Sequence, residues 1–228
     1  MSWQPTALDA SLSYWSAPHP GWKPEKGGPD GWPQEVRSAA VDVAGAPLVL
    51  IDPLAPVAPE DAAFWTWLSA RRSARAGLAI LLSNRYHGRS AADILTRFPE
   101  TPVYSAASTD GHATVPVTHA VSDGASAPAG IVAVAIDGLD DGELAWHIPS
   151  SRTLYSADAL LGTPTGVRLA PRSWCKDSST YDPLFLPSIR RLTSLPIDHL
   201  LVSHGPFSPG DGVAKLTFAA KSAESRAT

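Results

Sequence analysis

Three short apolar runs in this chain each end in residues of the kinds that bind metals or move protons. Leu200-Leu201-Val202 leads into Ser203-His204-Gly205, Ile80-Leu81-Leu82-Ser83 leads into Asn84-Arg85-Tyr86-His87-Gly88-Arg89-Ser90, and Leu154-Tyr155-Ser156-Ala157 leads into Asp158. Layered α/β folds commonly build their sites at such strand ends, where polar side chains converge while the strands themselves stay buried. Imidazole nitrogens and carboxylate oxygens can hold a divalent cation. A guanidinium cannot, because it stays protonated and has no acceptor site. His87, Asp158 and His204, with Arg85 and Arg89 beside them, are therefore the residues on which the chemistry turns.

The surrounding pattern says what must position them. Residues 38–43, 48–51, 78–82, 103–104, 131–136, 144–148, 152–156 and 199–202 read as short, mostly buried strands. Helices are expected from Pro59 through about Arg75, from Ser90 to Phe98, from Pro183 to Leu195 and from Gly212 to Ser222. Residues 152–156 lie opposite 144–148 and are expected to pair with them. Residues 113–129 read as short strands and turns, and Asp137 to Gly142 as a turn-forming loop. Strand pairs alternate with helices in both halves, which predicts an α/β fold with helices outside packed mixed sheets. Residues 1–35 are expected to form an irregular Trp/Pro-rich segment, with room for one edge strand, packed on a domain spanning residues 36–228. Its tryptophans argue against disorder, which depletes aromatics.

Composition removes several function classes. The formal net charge is −4, and the densest basic run, Arg71-Arg72-Ser73-Ala74-Arg75, sits at a predicted helix end. There cations offset the helix dipole, so nucleic-acid binding has little electrostatic support. The single cysteine, Cys175, allows neither an internal disulfide nor a thiolate metal cluster, and no base lies near it in sequence to make it a nucleophile. No apolar run approaches the roughly 20 residues needed to span a bilayer, and the first residues lack the pattern of a secretory signal. A cytoplasmic protein with no membrane partner is the expectation. The G-x-S-x-G, G-x-x-x-x-G-K-[ST] and G-x-G-x-x-G motifs are all absent. His147 reads as a packed strand residue. His19, between Pro18 and Pro20, reads as structural, with a place at a pocket mouth as the alternative.

The order of these pieces over roughly residues 36–220 resembles the metallo-β-lactamase superfamily. Leu48-Val49-Leu50-Ile51-Asp52 looks like its early strand ending in aspartate, and Ile80 to Ser83 like the strand before its His-x-His-x-Asp-His signature. The loop at residues 137–142 sits where the family has Pro-Gly-His-Thr-Pro-Gly. Leu154 to Asp158 looks like the strand ending in Gly-Asp, and Leu201 to Gly205 like the last strand with its histidine. The resemblance implies a four-layer αβ/βα sandwich with a dinuclear zinc or iron site along one edge. The departures are as informative. In one register Arg85, Arg89 and Ser90 stand where the signature has His, Asp and His, and only His87 is kept. One residue earlier, Asn84 and Tyr86 take the histidine positions. Leu139 replaces the loop histidine.

Two readings follow from the resemblance. In the first, a metal-dependent hydrolase keeps a reduced site in which His87, Asp158 and His204 hold zinc or another divalent metal and Asp158 is catalytic. In the second, no metal binds, an arginine pairs with Asp158 in place of the cation, and Arg85, Arg89 and His87 form a pocket for a small anionic ligand.

Overall fold

The computed structural model describes residues 3–107, 115–140, 142–207 and 209–224. The loop and turn expectations at residues 113, 114 and 141 lie outside the described residues. Among the described residues twelve strands form one continuous hydrogen-bonded sheet, nine of them in the order β7-β6-β5-β4-β3-β12-β10-β9-β8, with β2 on β3, β1 on β2 and β11 on β10 branching from it. In chain order they are β1 (Thr6–Ala7), β2 (Leu12–Pro18), β3 (Glu35–Val41), β4 (Leu48–Ile51), β5 (Leu78–Leu81), β6 (Val103–Ala106), β7 (His119–Val121), β8 (Val132–Ile136), β9 (Glu143–Ile148), β10 (Thr153–Thr163), β11 (Gly166–Leu169) and β12 (His199–His204). The helices are α1 (Asp61–Ser73), α2 (Ala91–Arg97), α3 (Leu186–Leu192) and α4 (Gly212–Glu224).

The sheet folds on itself at β3. One edge of β3 is taken along its whole length by β2. The other edge serves two partners, β4 at residues 39–41 and β12 at Val36 alone. Beyond that point the sheet divides into two halves that face one another. Ala39, Val41, Val49, Ile51, Ala79 and Leu81 from one half meet Ala133, Leu144, Trp146, Ile148, Tyr155 and Leu201 from the other. On the outer side of the first half, Phe64 and Leu68 of α1 and Ala91 and Ile94 of α2 pack on Leu48, Leu50, Leu78 and Ile80. On the outer side of the second, Leu186, Ile189 and Leu192 of α3 and Leu216 of α4 pack on Leu154, Leu200 and Val202. Alternate strand residues thus point to opposite cores, and three cores separate four layers, helix, sheet, sheet, helix. That is why these strands read as continuous apolar runs rather than alternating ones: both faces are covered.

The pairing expected between residues 144–148 and 152–156 is present, with Leu154 opposite His147 and Tyr155 opposite Trp146. Within the N-terminal segment, expected to have room for an edge strand, Leu12–Pro18 forms a seven-residue strand that pairs with β3 from Leu12↔Val41 to Pro18↔Glu35, with the two-residue β1 on its far side. Leu12 is buried in the core between the halves, while Trp15 and Ala17 are buried on the opposite face of the strand, and the flanking prolines hide this pattern. Pro18 is tolerated because it ends the strand.

Ser83 ties the halves together. Leu144 N donates to its carbonyl oxygen at 2.9 Å. Trp146 Nε1 donates to its Oγ across 3.2 Å, and both residues are buried. Ser83→Ala leaves that indole N–H unpaired in a dry interior and is expected to cost about 1–3 kcal/mol, seen as a lower urea midpoint with an unchanged m-value.

Candidate metal centre

His87, Asp158 and His204 come together at the open end of the cleft between the two halves. Each offers one ligand atom, and the three atoms lie within 4.8 Å of one another. His87 Nε2 is 3.3 Å and His204 Nε2 is 3.0 Å from the same oxygen, Asp158 Oδ1. Both histidines are buried and Asp158 is half-buried.

Local structure explains how each is delivered. Residues Arg85–Gly88 form a 3-10 turn capped by Asn84, whose side chain accepts from Tyr86 N. In such a turn residues i and i+3 lie one above the other. Asn84 and His87 therefore share a face, and both meet Asp158: Asn84 Nδ2 donates to Asp158 Oδ2 at 2.7 Å. Arg85 lies on another face, with its guanidinium on Asp140 and the Tyr86 hydroxyl. Arg89 donates to the carbonyls of Arg37 and Asp52 and to Ser203 Oγ, tying β3, the end of β4 and β12 together beneath the site. The expected pairing of an arginine with Asp158 is thus corrected. Asp158 is met by Asn84, His87 and His204, because the 3-10 turn and the left-handed backbone at Arg89 (φ 38°) carry the guanidiniums elsewhere.

Asp158 sits in an irregularity of β10. Ser156 is opposite Val202 but Leu161 is opposite His204, so β10 spends five residues where β12 spends two. His204 ends β12, and the chain turns at once through Gly205 (φ +86°). A Cβ there would stand 2.4 Å from the Gly162 carbonyl oxygen, so only glycine fits.

Two further carboxylates were not identified as site residues from sequence. Asp52, fully buried with φ 47°, accepts from Ser83 N at 2.8 Å and faces His87 Nδ1 at 2.7 Å. An ionised carboxylate only accepts, so Nδ1 carries the proton and Nε2 is turned toward Asp158. Glu143, buried on β9, accepts from Ser156 Oγ and from the amides of Ala157, Asp158 and Ala159. The strand-terminal position of Asp52 was readable, but the role of Glu143 had no sequence signal.

The electrostatics divide the two histidines. Burial and Arg89 push the His87 pKa down, but Asp52 and Asp158 overcome them and hold it at about 9. Burial lowers His204 to about 4 despite its bond to Asp158. Burial opposes ionisation of Asp158, yet His87 and His204 hold it well below the usual carboxylate range. Burial and Asp158 raise Glu143 to about 7 against the pull of its hydrogen bonds. Burial, then Arg89 and Lys26, lower His19 to about 4.

A pH dependence follows for the metal-free protein. His19 and His204, with folded pKa values below the unfolded 6.5, withdraw stability as pH falls from 6.5 toward 4. His87, raised, contributes below 6.5 and loses its contribution as pH rises toward 9. Glu143, a raised carboxylate, works against folding as pH rises from 4.5 to 7, opposing the two lowered histidines by one proton. Melting temperature in a chelator should therefore peak near pH 6.5 and fall on both sides.

Around the group lies an open cleft of about 930 Å³, lined among others by Trp32, Tyr86, Arg89, Asp140 and Trp174. Trp32 packs on the His204 ring at 4.7 Å and His19 on Trp32 at 5.2 Å. His19 thus stands at the cleft wall, the alternative weighed for it from sequence. Cys175 also lines the cleft, and burial raises its thiol, which argues against a nucleophile.

Donor chemistry fits one ion. Two imidazole nitrogens and one carboxylate oxygen make a three-ligand set with room for water, and the Asp52–His87 bond is the partner a metal-bound histidine commonly has. His204 Nδ1 is buried without a hydrogen-bond partner among the described residues. No second set of three metal-ligating residues of this kind occurs among the described residues.

No protein-family model matches the chain, and no curated protein matches it. Solved structures do. The DIM-1 metallo-β-lactamase aligns over 99% of both chains with a TM-score of 0.68 and 11% identity. A metallo-β-lactamase from Pontibacter korlensis aligns over 96% of this chain and 98% of its own, with a TM-score of 0.66 and 13% identity. A metallo-β-lactamase family protein from Thermus thermophilus aligns over 96% of this chain and 81% of its own, with a TM-score of 0.62 and 17% identity. At such identities the likeness speaks for architecture, and in architecture this chain has the metallo-β-lactamase fold.

Proposed function

We propose that this chain binds one divalent metal ion, zinc or a similar cation, through His87, Asp158 and His204, and hydrolyses a small carbonyl-bearing molecule in the cleft. The observation that carries the reading is the convergence of both Nε2 atoms on Asp158 Oδ1, with His87 already oriented by Asp52. When bound, the ion would lower the pKa of its water toward about 7 and polarise the substrate carbonyl.

The chain's own residues supply the rest. Without metal, His87 holds a proton on each nitrogen and bridges Asp52 and Asp158; loading requires the Nε2 proton to leave, so affinity should rise with pH. Asn84 occupies Asp158 Oδ2 and leaves Oδ1 as the oxygen turned to the two histidines. Trp32 and Trp174 contribute apolar surface to the cleft wall.

Calorimetric titration of chelator-treated protein with zinc tests the reading. One site per chain is expected, tighter at about pH 8 than at about pH 6. No binding at either pH would overturn it.

A metal-free binding role is the second reading, and one observation favours it. The His87 imidazolium is already neutralised by two carboxylates, leaving a self-satisfied cluster that does not require a cation. An anion would then draw on Arg89, whose Nε is buried without a partner among the described residues, while Arg85 is engaged with Asp140. Phosphate or acetate binding by protein that takes up no zinc would support this role.

A further inference from the structure

The hydrogen bonds around β10 do not follow the usual ladder. From Thr153 to Tyr155 the strand pairs with β9 backbone to backbone, and there the pairing stops. Against β12 the register breaks over the same stretch, between Ser156 and Leu161. Buried amides need acceptors, and those of residues 157–159 find theirs in one side chain. Glu143 Oε1 accepts from Ser156 Oγ at 2.8 Å and Ala157 N at 2.9 Å; Oε2 accepts from Asp158 N at 2.6 Å and Ala159 N at 2.8 Å. All four acceptor roles belong to a residue that is itself 4% exposed. A buried carboxylate has replaced the β9 backbone as the partner of β10, and it does so at the residues that flank the candidate ligand.

We propose that Glu143 is a positioning residue: by gripping three consecutive amides and the Ser156 hydroxyl it holds the β10 irregularity in the one conformation that brings Asp158 Oδ1 to both histidines. The consequence for metal binding rests on the one-ion reading above; the positioning of Asp158 does not. Glutamine is the informative replacement. Its amide nitrogen is a donor, so in either orientation two of the four donors would face another donor, and the irregularity must relax.

The experiment has two arms. In metal-free protein, amide NMR should show Ala157, Asp158 and Ala159 protected from exchange, and imidazole nitrogen shifts should report His87 and His204 bonded to Asp158. Glu143→Gln should strip that protection and move both imidazole signals. In the zinc arm, E143Q should weaken binding about 10- to 100-fold, the usual effect of losing a partner that orients a ligand. Leu200→Val, buried in the outer core of the same half, controls for destabilisation and should lower the melting temperature without changing zinc affinity or imidazole shifts. Should E143Q not fold, Ser156→Ala removes one donor and should move the same signals by less.

Unchanged imidazole shifts in E143Q, or in Ser156→Ala if that is the variant that folds, would overturn the proposal. So would a wild-type zinc affinity in E143Q. If wild-type protein binds no zinc, the one-ion reading fails by itself, and the imidazole shifts still decide the role of Glu143.

Discussion

Asp52→Ala should be among the most destabilising single changes in this protein, lowering stability by about 3–5 kcal/mol, the range for breaking a buried charged pair. Asp52 is fully buried and answers two donors, Ser83 N and His87 Nδ1. Alanine removes both acceptors and leaves an imidazolium with Asp158 alone. Its backbone also sits at φ 47°, which aspartate tolerates better than alanine. Urea denaturation of the metal-free protein measures the loss; a change below about 1 kcal/mol would mean the pair is not formed. Asp52→Asn separates stability from chemistry. Its Oδ1 can still accept from Ser83 N, but its amide nitrogen would donate to His87 Nδ1 and force the proton onto Nε2. That tautomer cannot ligate through Nε2, so Asp52→Asn should lose zinc affinity out of proportion to its smaller loss of stability.

The other large effect is on binding. Asp158→Ala should abolish detectable zinc uptake while costing about 1–3 kcal/mol of folding free energy, the range for stranding buried hydrogen-bonding groups. Asp158 contributes the oxygen on which both Nε2 atoms converge and the acceptor for Asn84 Nδ2. Without it two imidazoles remain, one of which, His204, has no partner on its other nitrogen among the described residues. The stability cost is moderated because Asp158 also raises the pKa of Glu143, and removing it relieves that repulsion. Zinc content after gel filtration and the melting temperature in chelator read the two effects separately. An Asp158→Ala protein that retained one zinc per chain would mean the ion sits elsewhere.

How much could be read without coordinates depends on how local the cause is. The strands at 48–51, 78–82, 144–148 and 199–202 were readable because both faces are buried and apolar side chains follow one another without interruption. His87, Asp158 and His204 were readable as candidates because each follows such a run. The strand Leu12–Pro18 was obscured by the prolines and aspartate that flank it. An arginine was paired with Asp158 because spacing alone does not say that residues 84–88 wind into a 3-10 turn, which sends Asn84 and His87 one way and Arg85 another.

What the sequence by itself determined is the inventory: one cysteine, no nucleotide loop and no apolar run of membrane-spanning length, with His87, Asp158 and His204 each at the end of an apolar run. Only the tertiary structure decided which of these residues meet. Asp52, Asn84 and His87 come from one half of the folded sheet, and Glu143, Asp158 and His204 from the other. Two contacts that join the halves at the site, between His87 and Asp158 and between Asn84 and Asp158, span more than seventy residues of chain. Their geometry is set by the fold of the sheet at β3 and by the relaxed ladder of β10. Both arise from which strand edges pair, a long-range property that no window of sequence contains.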